Sequence, residues 1–230
     1  RDRSPSRGLG DVYKRQIVTP SRWLADFVKQ SFLKEHFVQV IYNGVDTKIF
    51  TKRPNYDVRL SYNIHQSKHI VLGCAVNWEK RKGLVFFEQL AEKLPSDYQI
   101  VLVGGIKEEK IKELSHKGII CTGRTKTVDE LVAWYQSATV FCNPTLADNF
   151  PTVNIEALAA GTPIVTFKTG GSPEAINEHT GIVIPQGNTE ALRDAVIKVA
   201  ENRKFFTSDK CRMRSKLFTN KQYDCYIKLF

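Results

Sequence analysis

The sequence predicts an α/β fold: a doubly wound parallel sheet with helices on both faces. Two observations lead there. From about residue 70 to residue 202, short apolar runs bounded by turn residues alternate with helical patterns, as strands joined by crossover helices do. The chain also has the material for a core, since 42% of its 230 residues are hydrophobic and 25% are charged.

The elements follow in order. Ile17–Pro20 reads as a short strand, and Ser21 as the cap of a helix that sets Trp23, Leu24, Phe27 and Val28 on one face. Val38–Tyr42 is a second strand, closed by the turn residues Asn43-Gly44-Val45-Asp46. Residues 47–67 are polar and without period, as a crossing between two domains would be. Buried strands are expected at Ile70–Val76, Gln99–Val103, Ile119–Thr122, Thr139–Asn143, Pro163–Thr166 and Ile182–Ile184. Helical patterns lie between them at Gly83–Lys93, Val128–Ser137, Thr152–Ala160 and Thr189–Asn202. Thr127 and Glu130 form a capping box, and Gly161 stops the helix before the Pro163 strand. The last stretch, Lys210–Phe230, is basic, with Tyr223, Tyr226 and Phe230 at helical spacing, and is expected to pack elsewhere than on this sheet.

The net charge of +10 sits at the two ends. Residues 1–16 carry five basic and two acidic side chains, and residues 202–230 carry eight and two, whereas residues 17–201 carry 21 and 20. A nearly neutral body is not the footprint of a nucleic-acid groove. Arg1 stands where a start methionine would be. Residues 1–16 have no apolar core of a secretory signal and read as a cloning or sequencing scar, non-native to the fold. No apolar run approaches the ~18–20 residues that span a bilayer. The five cysteines are odd in number and lack metal spacing, which points to a reduced, cytoplasmic compartment.

In a doubly wound sheet, ligands bind beyond the carboxyl ends of the strands. No G-x-G-x-x-G follows any strand and no Walker pattern is present, which argues against a dehydrogenase or a P-loop enzyme. The loop after Thr139–Asn143 holds the chemistry. Asp148 precedes a helix that starts near Pro151–Thr152, and Glu156 lies within that helix. The helix start offers free amides and a positive dipole end to a phosphate, while a carboxylate on each side can accept from sugar hydroxyls. Taken alone, such a pair more often caps a helix and meets solvent. The histidines, at 36, 65, 69, 116 and 179, form no catalytic arrangement.

The neighbouring residues change that balance. The segment Asp148-Asn-Phe150-Pro-Thr-Val-Asn-Ile-Glu156-Ala-Leu-Ala-Ala-Gly161-Thr-Pro163 resembles the family 4 retaining glycosyltransferases of the GT-B fold, whose E-x7-E motif reads E-x-F-G-L-V-x-x-E-A-x-A-x-G-x-P. Four further segments match in the same order: Pro20-Ser21-Arg22-Trp23, Asn43-Gly44-Val45-Asp46 with Phe50, Trp78-Glu79-Lys80-Arg81-Lys82-Gly83, and Gly170-Gly171-Ser172-Pro173-Glu174. The Asp-Asn-Phe-Pro-Thr form is most similar to bacterial exopolysaccharide enzymes of the colanic-acid type. Two departures stand out. Asp148 is one methylene shorter than the family's first Glu, and Asn77 stands where the family often has Arg, so that Arg81 is expected to supply the second charge.

The resemblance implies a C-terminal GT-B Rossmann-like domain with a remnant of the N-terminal domain. Residues 17–50 are then the end of an acceptor domain and the crossing, 51–201 the nucleotide-sugar-binding domain, and 202–230 a basic helical segment. It implies transfer of a sugar, with retention, from a nucleotide-sugar to a saccharide or lipid-linked acceptor in bacterial polysaccharide synthesis. Asp148 and Lys82 take the catalytic places. Asn77, Arg81, Gly123, Arg124, Asn149, Phe150, Thr152, Val153 and Glu156 take donor-binding ones. Glu156 is expected to hold the ribose and Asp148 the sugar ring. With no D-x-D and no His/Cys/Asp cluster, neither metal nor cofactor is implied, and the UDP- or GDP-sugar is a substrate. The basic tail adds an expected peripheral contact with the inner face of the membrane. Two alternatives stay open at this stage: a nucleotide-sugar 2-epimerase on the same scaffold, and a non-catalytic nucleotide- or membrane-binding module.

Overall fold

The computed structural model describes residues 16–227, so the expected tail of residues 1–16 and the aromatic at 230 lie outside, or at the edge of, the described residues. The chain opens with β1 (Ile17–Thr19), α1 (Arg22–Lys29) and β2 (Val38–Val40), and the two strands pair in parallel across the helix. Ser21 caps α1 by accepting from the Leu24 amide. Residues 47–67, expected to be irregular, instead form α2 (Thr47–Thr51) and α3 (Val58–Ser61), each capped by an aspartate, Asp46 and Asp57. These single turns are too short to show a period, yet they drive Phe50, Val58 and Ile64 into the core.

The rest is the expected sheet: β3 (His69–Asn77), α4 (Leu84–Ala91), β4 (Tyr98–Gly105), α5 (Glu108–His116), β5 (Ile120–Gly123), α6 (Val128–Ser137), β6 (Val140–Asn143), α7 (Thr152–Ala160), β7 (Ile164–Phe167), β8 (Gly181–Ile184) and α8 (Thr189–Glu201). Helix α5 was outside the expected set because only Ile111 and Leu114 among its residues are apolar. The six strands run in the order β5-β4-β3-β6-β7-β8, and every pair is parallel. Alternation along the strands serves both faces. Ile70, Leu72, Val101 and Val103 face a core with α6 and α7, whereas Val71, Ile100 and Leu102 face a second core with α4, α5 and α8.

The tail, expected to pack elsewhere than on this sheet, lies against a helix and the first elements. Helix α9 (Ser208–Ser215) lies along α7 and buries Cys211 and Ser215, and Phe218 follows into the same core. Arg212 Nη2 donates to Ala160 O at 3.3 Å, and Arg214 donates to Ala175 O and Glu174 O at 3.0 and 2.8 Å. Those guanidinium groups are therefore spent on backbone carbonyls. Beyond them α10 (Gln222–Ile227) reaches the first elements, with the Tyr226 hydroxyl 3.5 Å from Ile41 O. The same elements are fastened from the sheet side by Glu174. Its carboxylate accepts from the Arg22 and Trp23 amides, each at 2.9 Å, and from the Tyr42 hydroxyl at 3.0 Å. A carboxylate at the start of α1 also suits the helix dipole.

Phe218 stacks on Tyr42 and Phe150 with ring centroids 5.4 Å from each. Phe218→Ala is expected to cost about 3–5 kcal/mol, as large-to-small changes at buried aromatics do. The exposed neighbour change Leu217→Ala should stay within about 0.5 kcal/mol. Urea denaturation of the two variants checks both, and a neutral Phe218→Ala would mean that the tail does not pack on α7.

Candidate active site

Strand order places the site. From β3 the chain winds outward through β4 to β5, then returns to β6 beside β3 and winds the other way. The loops after β3 and β6 therefore diverge to opposite faces and leave a crevice at their carboxyl ends.

The loop after β3 is a tight basic turn. Trp78 anchors it by packing on Phe87 and donating its indole N–H to Val103 O at 3.1 Å. One turn of 3₁₀ helix, Lys80–Lys82, then ends at Gly83, whose φ of 78° is left-handed. A Cβ on Gly83 would lie 2.0 Å from Pro144 O, so glycine is what lets this turn touch the loop after β6. The two loops are stitched further by Leu146 N and Thr145 Oγ1, which donate to Arg81 O at 2.7 and 3.1 Å. On its other side the β6 loop rests on Gly170-Gly171. A Cβ on Gly170 would lie 1.8 Å from Asp148 O. Asp148 is thus pinned between two glycine turns, and its Oδ2 meets Lys82 Nζ at 2.7 Å.

Helix α7 begins at the crevice. Pro151 occupies its N-cap, so no side chain caps the first turn, and Thr152 and Val153 line the cleft there. Beneath that turn a buried polar network fixes the helix to the strand ends: Asn143 Nδ2 donates to Asn154 Oδ1 at 2.8 Å, and Asn154 Nδ2 to Ser172 Oγ at 3.0 Å. Deeper in α7, Glu156 accepts from the Tyr135 hydroxyl at 2.9 Å. Burial pushes the Glu156 carboxyl above the ordinary range, and hydrogen bonds from Tyr135 and Thr152 pull it partly back. Burial and the neighbouring Glu156 push the Cys74 thiol up to about 12, so it stays protonated and is no nucleophile.

The crevice has two connected parts, about 400 and 310 Å³, which share Cys74, Ala75, Val76, Thr152 and Val153. The first holds Asn77, Arg81, Lys82, Asp148 and Phe150 among the expected residues, and the second holds Arg124 and Glu156. Asn77 joins the parts by accepting from Arg124 Nη2 at 2.9 Å. Gly123 and Asn149 line neither part. Gly123 ends β5 with a left-handed φ of 72°, and Asn149 is exposed with its carbonyl against Gly171. The ring of Phe150 turns to Tyr42, 4.8 Å away, and into the core. Arg81, expected to bring a second free charge, pairs with Glu79 at 3.1 Å. Glu79, Cys74, Thr125, Leu131 and Tyr135 are among the lining or supporting residues that sequence reasoning missed. Among the described residues, no group of three or more His, Cys, Asp or Glu is placed to hold a metal ion, and no helix is long and apolar enough to cross a membrane.

Residues 68–202, more than half of the chain, match the model of the family described as glycosyl transferases group 1. The chain belongs to that family. A D-inositol 3-phosphate glycosyltransferase of Mycobacteroides abscessus is 25% identical over 170 residues, covering 69% of this chain and 38% of that one. Among solved structures, sucrose-phosphate synthase from Thermosynechococcus elongatus superposes with a TM-score of 0.80 at 22% identity, covering 96% of this chain and 60% of that one. The Anabaena protein HepE, solved in complex with UDP, gives 0.76 at 18%, covering 94% and 64%. These structural likenesses bear on the fold, which is that of the GT-B glycosyltransferases. The chain spans well under two thirds of the length of the group 1 relative and about three fifths of the synthase.

Glu156 generates a prediction about stability. Its folded-state pKa is raised, so ionising it opposes folding; the penalty is absent below the unfolded pKa of about 4.3 and complete above the folded one. Glu156→Gln keeps an acceptor for Tyr135 and removes the charge. The variant should melt higher than the parent near pH 8, each 1 kcal/mol being worth ~2–4 °C at this chain length. The gain should vanish near pH 4. Thermal melts at the two pH values check this, and equal melting at both would contradict the buried-carboxylate account.

Proposed function

We propose that this chain is the donor-binding part of a retaining, family 4 type glycosyltransferase that moves a sugar from a nucleotide-sugar to a saccharide or lipid-linked acceptor in bacterial polysaccharide synthesis. The observation that carries the reading is the convergence at the strand-order reversal. Lys82 and the uncapped start of α7 point at one cleft, with Asp148 and Glu156 on either side of it. In this reading the diphosphate lies between Lys82 and the α7 amides, the ribose on Glu156, the base beside Arg124, and the sugar ring on Asp148.

The chemistry follows from where charge develops. Breaking the bond between the sugar's anomeric carbon and the diphosphate leaves negative charge on the departing oxygens. A lysine and a helix start aimed at that position stabilise it more in the transition state than in the bound donor. Complexes of HepE with UDP and with UDP-glucose support a nucleotide-sugar as ligand, and a GDP-mannose-dependent mannosyltransferase of Mycobacterium tuberculosis is among the relatives. The donor is thus a UDP- or GDP-sugar, and no cofactor is needed. Residues 17–50 then belong to the end of an acceptor domain and residues 51–201 to the donor domain. The bonds of Glu174 to α1 and of Tyr226 to Ile41 hold the two in register. The tail contributes to that fastening through Arg212 and Arg214, which face carbonyls, while the exposed Lys216 and Lys221 leave the peripheral membrane contact open as part of this proposal.

Calorimetry with UDP, GDP, ADP and NAD tests the reading. One of the first two should bind and NAD should not, since the dinucleotide glycines are absent. Glu156→Gln should weaken the bound nucleotide by ~1.5–3 kcal/mol, as loss of a charged acceptor does. Tight NAD binding without diphosphate binding would overturn the proposal.

A further inference from the structure

Every charged side chain lining the first part of the cleft is paired with another. Two cations line its first part, Arg81 and Lys82, and two anions, Glu79 and Asp148. Each cation already has a partner, Arg81 with Glu79 at 3.1 Å and Lys82 with Asp148 at 2.7 Å. The pairs differ in setting. The side chains of Arg81 and Glu79 are more than half exposed, whereas those of Lys82 and Asp148 are 22% and 16% exposed. The outer pair is weak and screened, while the inner one is short and poorly solvated. Resting on the reading of this cleft as a nucleotide-sugar site, a diphosphate that engages Lys82 competes with Asp148 for the single charge of that ammonium.

What becomes of Asp148 then differs between ligands. Its loop cannot retreat, because Gly83 sits against Pro144 O and Gly170 against Asp148 O. Robbed of Lys82, the carboxylate stands beside a diphosphate in a cleft of reduced dielectric, where an unpaired charge is costly. A free nucleoside diphosphate offers it no donor there. An intact nucleotide-sugar does, because the hydroxyls of the sugar ring are neutral donors that a carboxylate accepts from.

We infer that Asp148 competes with the diphosphate for Lys82 and so makes the cleft discriminate the intact donor from the free nucleoside diphosphate. The intact donor supplies replacement hydrogen bonds to Asp148; once the sugar has been transferred, those bonds are gone. Asp148 then reclaims Lys82 and the diphosphate loses its strongest cation. The Lys82–Asp148 pair is, on this account, the device that clears the site after each turnover. Asp148 therefore has a measurable influence on a ligand that lacks the sugar it orients.

The test uses the full chain and free UDP and GDP as probes, measured by titration calorimetry. Asp148→Asn keeps the shape, and Asp148→Ala serves as a second variant that removes the acceptor altogether. Both should bind the free diphosphate roughly tenfold tighter than the parent, the scale of one charged hydrogen bond set free. In a Lys82→Gln background the same Asp148 changes should bring a clearly smaller gain, since there is then no cation to release and only the repulsion between carboxylate and diphosphate is relieved. Parent binding that the Asp148 variants leave unchanged or weakened overturns the competition, and so does a gain of the same size without Lys82. Absence of UDP and GDP binding in the parent and in every variant overturns instead the nucleotide-sugar reading on which the inference rests.

Discussion

The reversal of winding direction between β3 and β6 is the constraint on which the rest depends. Adjacent parallel strands whose following segments leave toward opposite faces cannot have a helix over their shared carboxyl end, so a crevice is built into the topology. The first residues after each of the two strands must then line it. Here they are the basic turn ending in Lys82 and the loop holding Asp148, with the start of α7 closing the floor. Function on this fold is a matter of what those loops carry, since the sheet below them is covered by aliphatic and aromatic packing on both faces.

Two glycine turns give the crevice its rigidity. Any side chain at Gly83 would collide with Pro144 O, and any at Gly170 with Asp148 O, so the loops approach to backbone contact on both sides of Asp148. The buried chain from Asn143 through Asn154 to Ser172 locks the first turn of α7 to the same strand ends. A charge held this firmly cannot relax away from an incoming anion. Such preorganisation is what makes a cation or a carboxylate effective without reorganisation at the moment of reaction.

Much of the fold was legible in the sequence because it rests on local signals. Thr127 and Glu130 marked the start of α6, and Gly161 marked the end of α7. The strands emerged as apolar runs because a doubly covered parallel sheet buries both faces. Helices α2 and α3 did not, since one capped turn shows no period, and α5 escaped because it buries one residue and exposes a charged face. The site was legible as a set of residues and not as a set of contacts. Lys82 and Asp148 are 66 positions apart, and nothing local says that they pair; Tyr135 gives no sign that its hydroxyl serves Glu156. The pairing of Arg81 with Glu79 likewise removed the second free cation that the family resemblance implied.

The central claim is that this crevice holds a diphosphate between Lys82 and the first turn of α7. A crystal structure of the chain with bound UDP or GDP tests it most directly. The account predicts diphosphate oxygens within hydrogen-bond distance of Lys82 Nζ and of the Thr152 and Val153 amides, with Asp148 no longer bonded to Lys82. A nucleotide bound elsewhere, or one seated in the crevice with the Lys82–Asp148 pair intact, would contradict it.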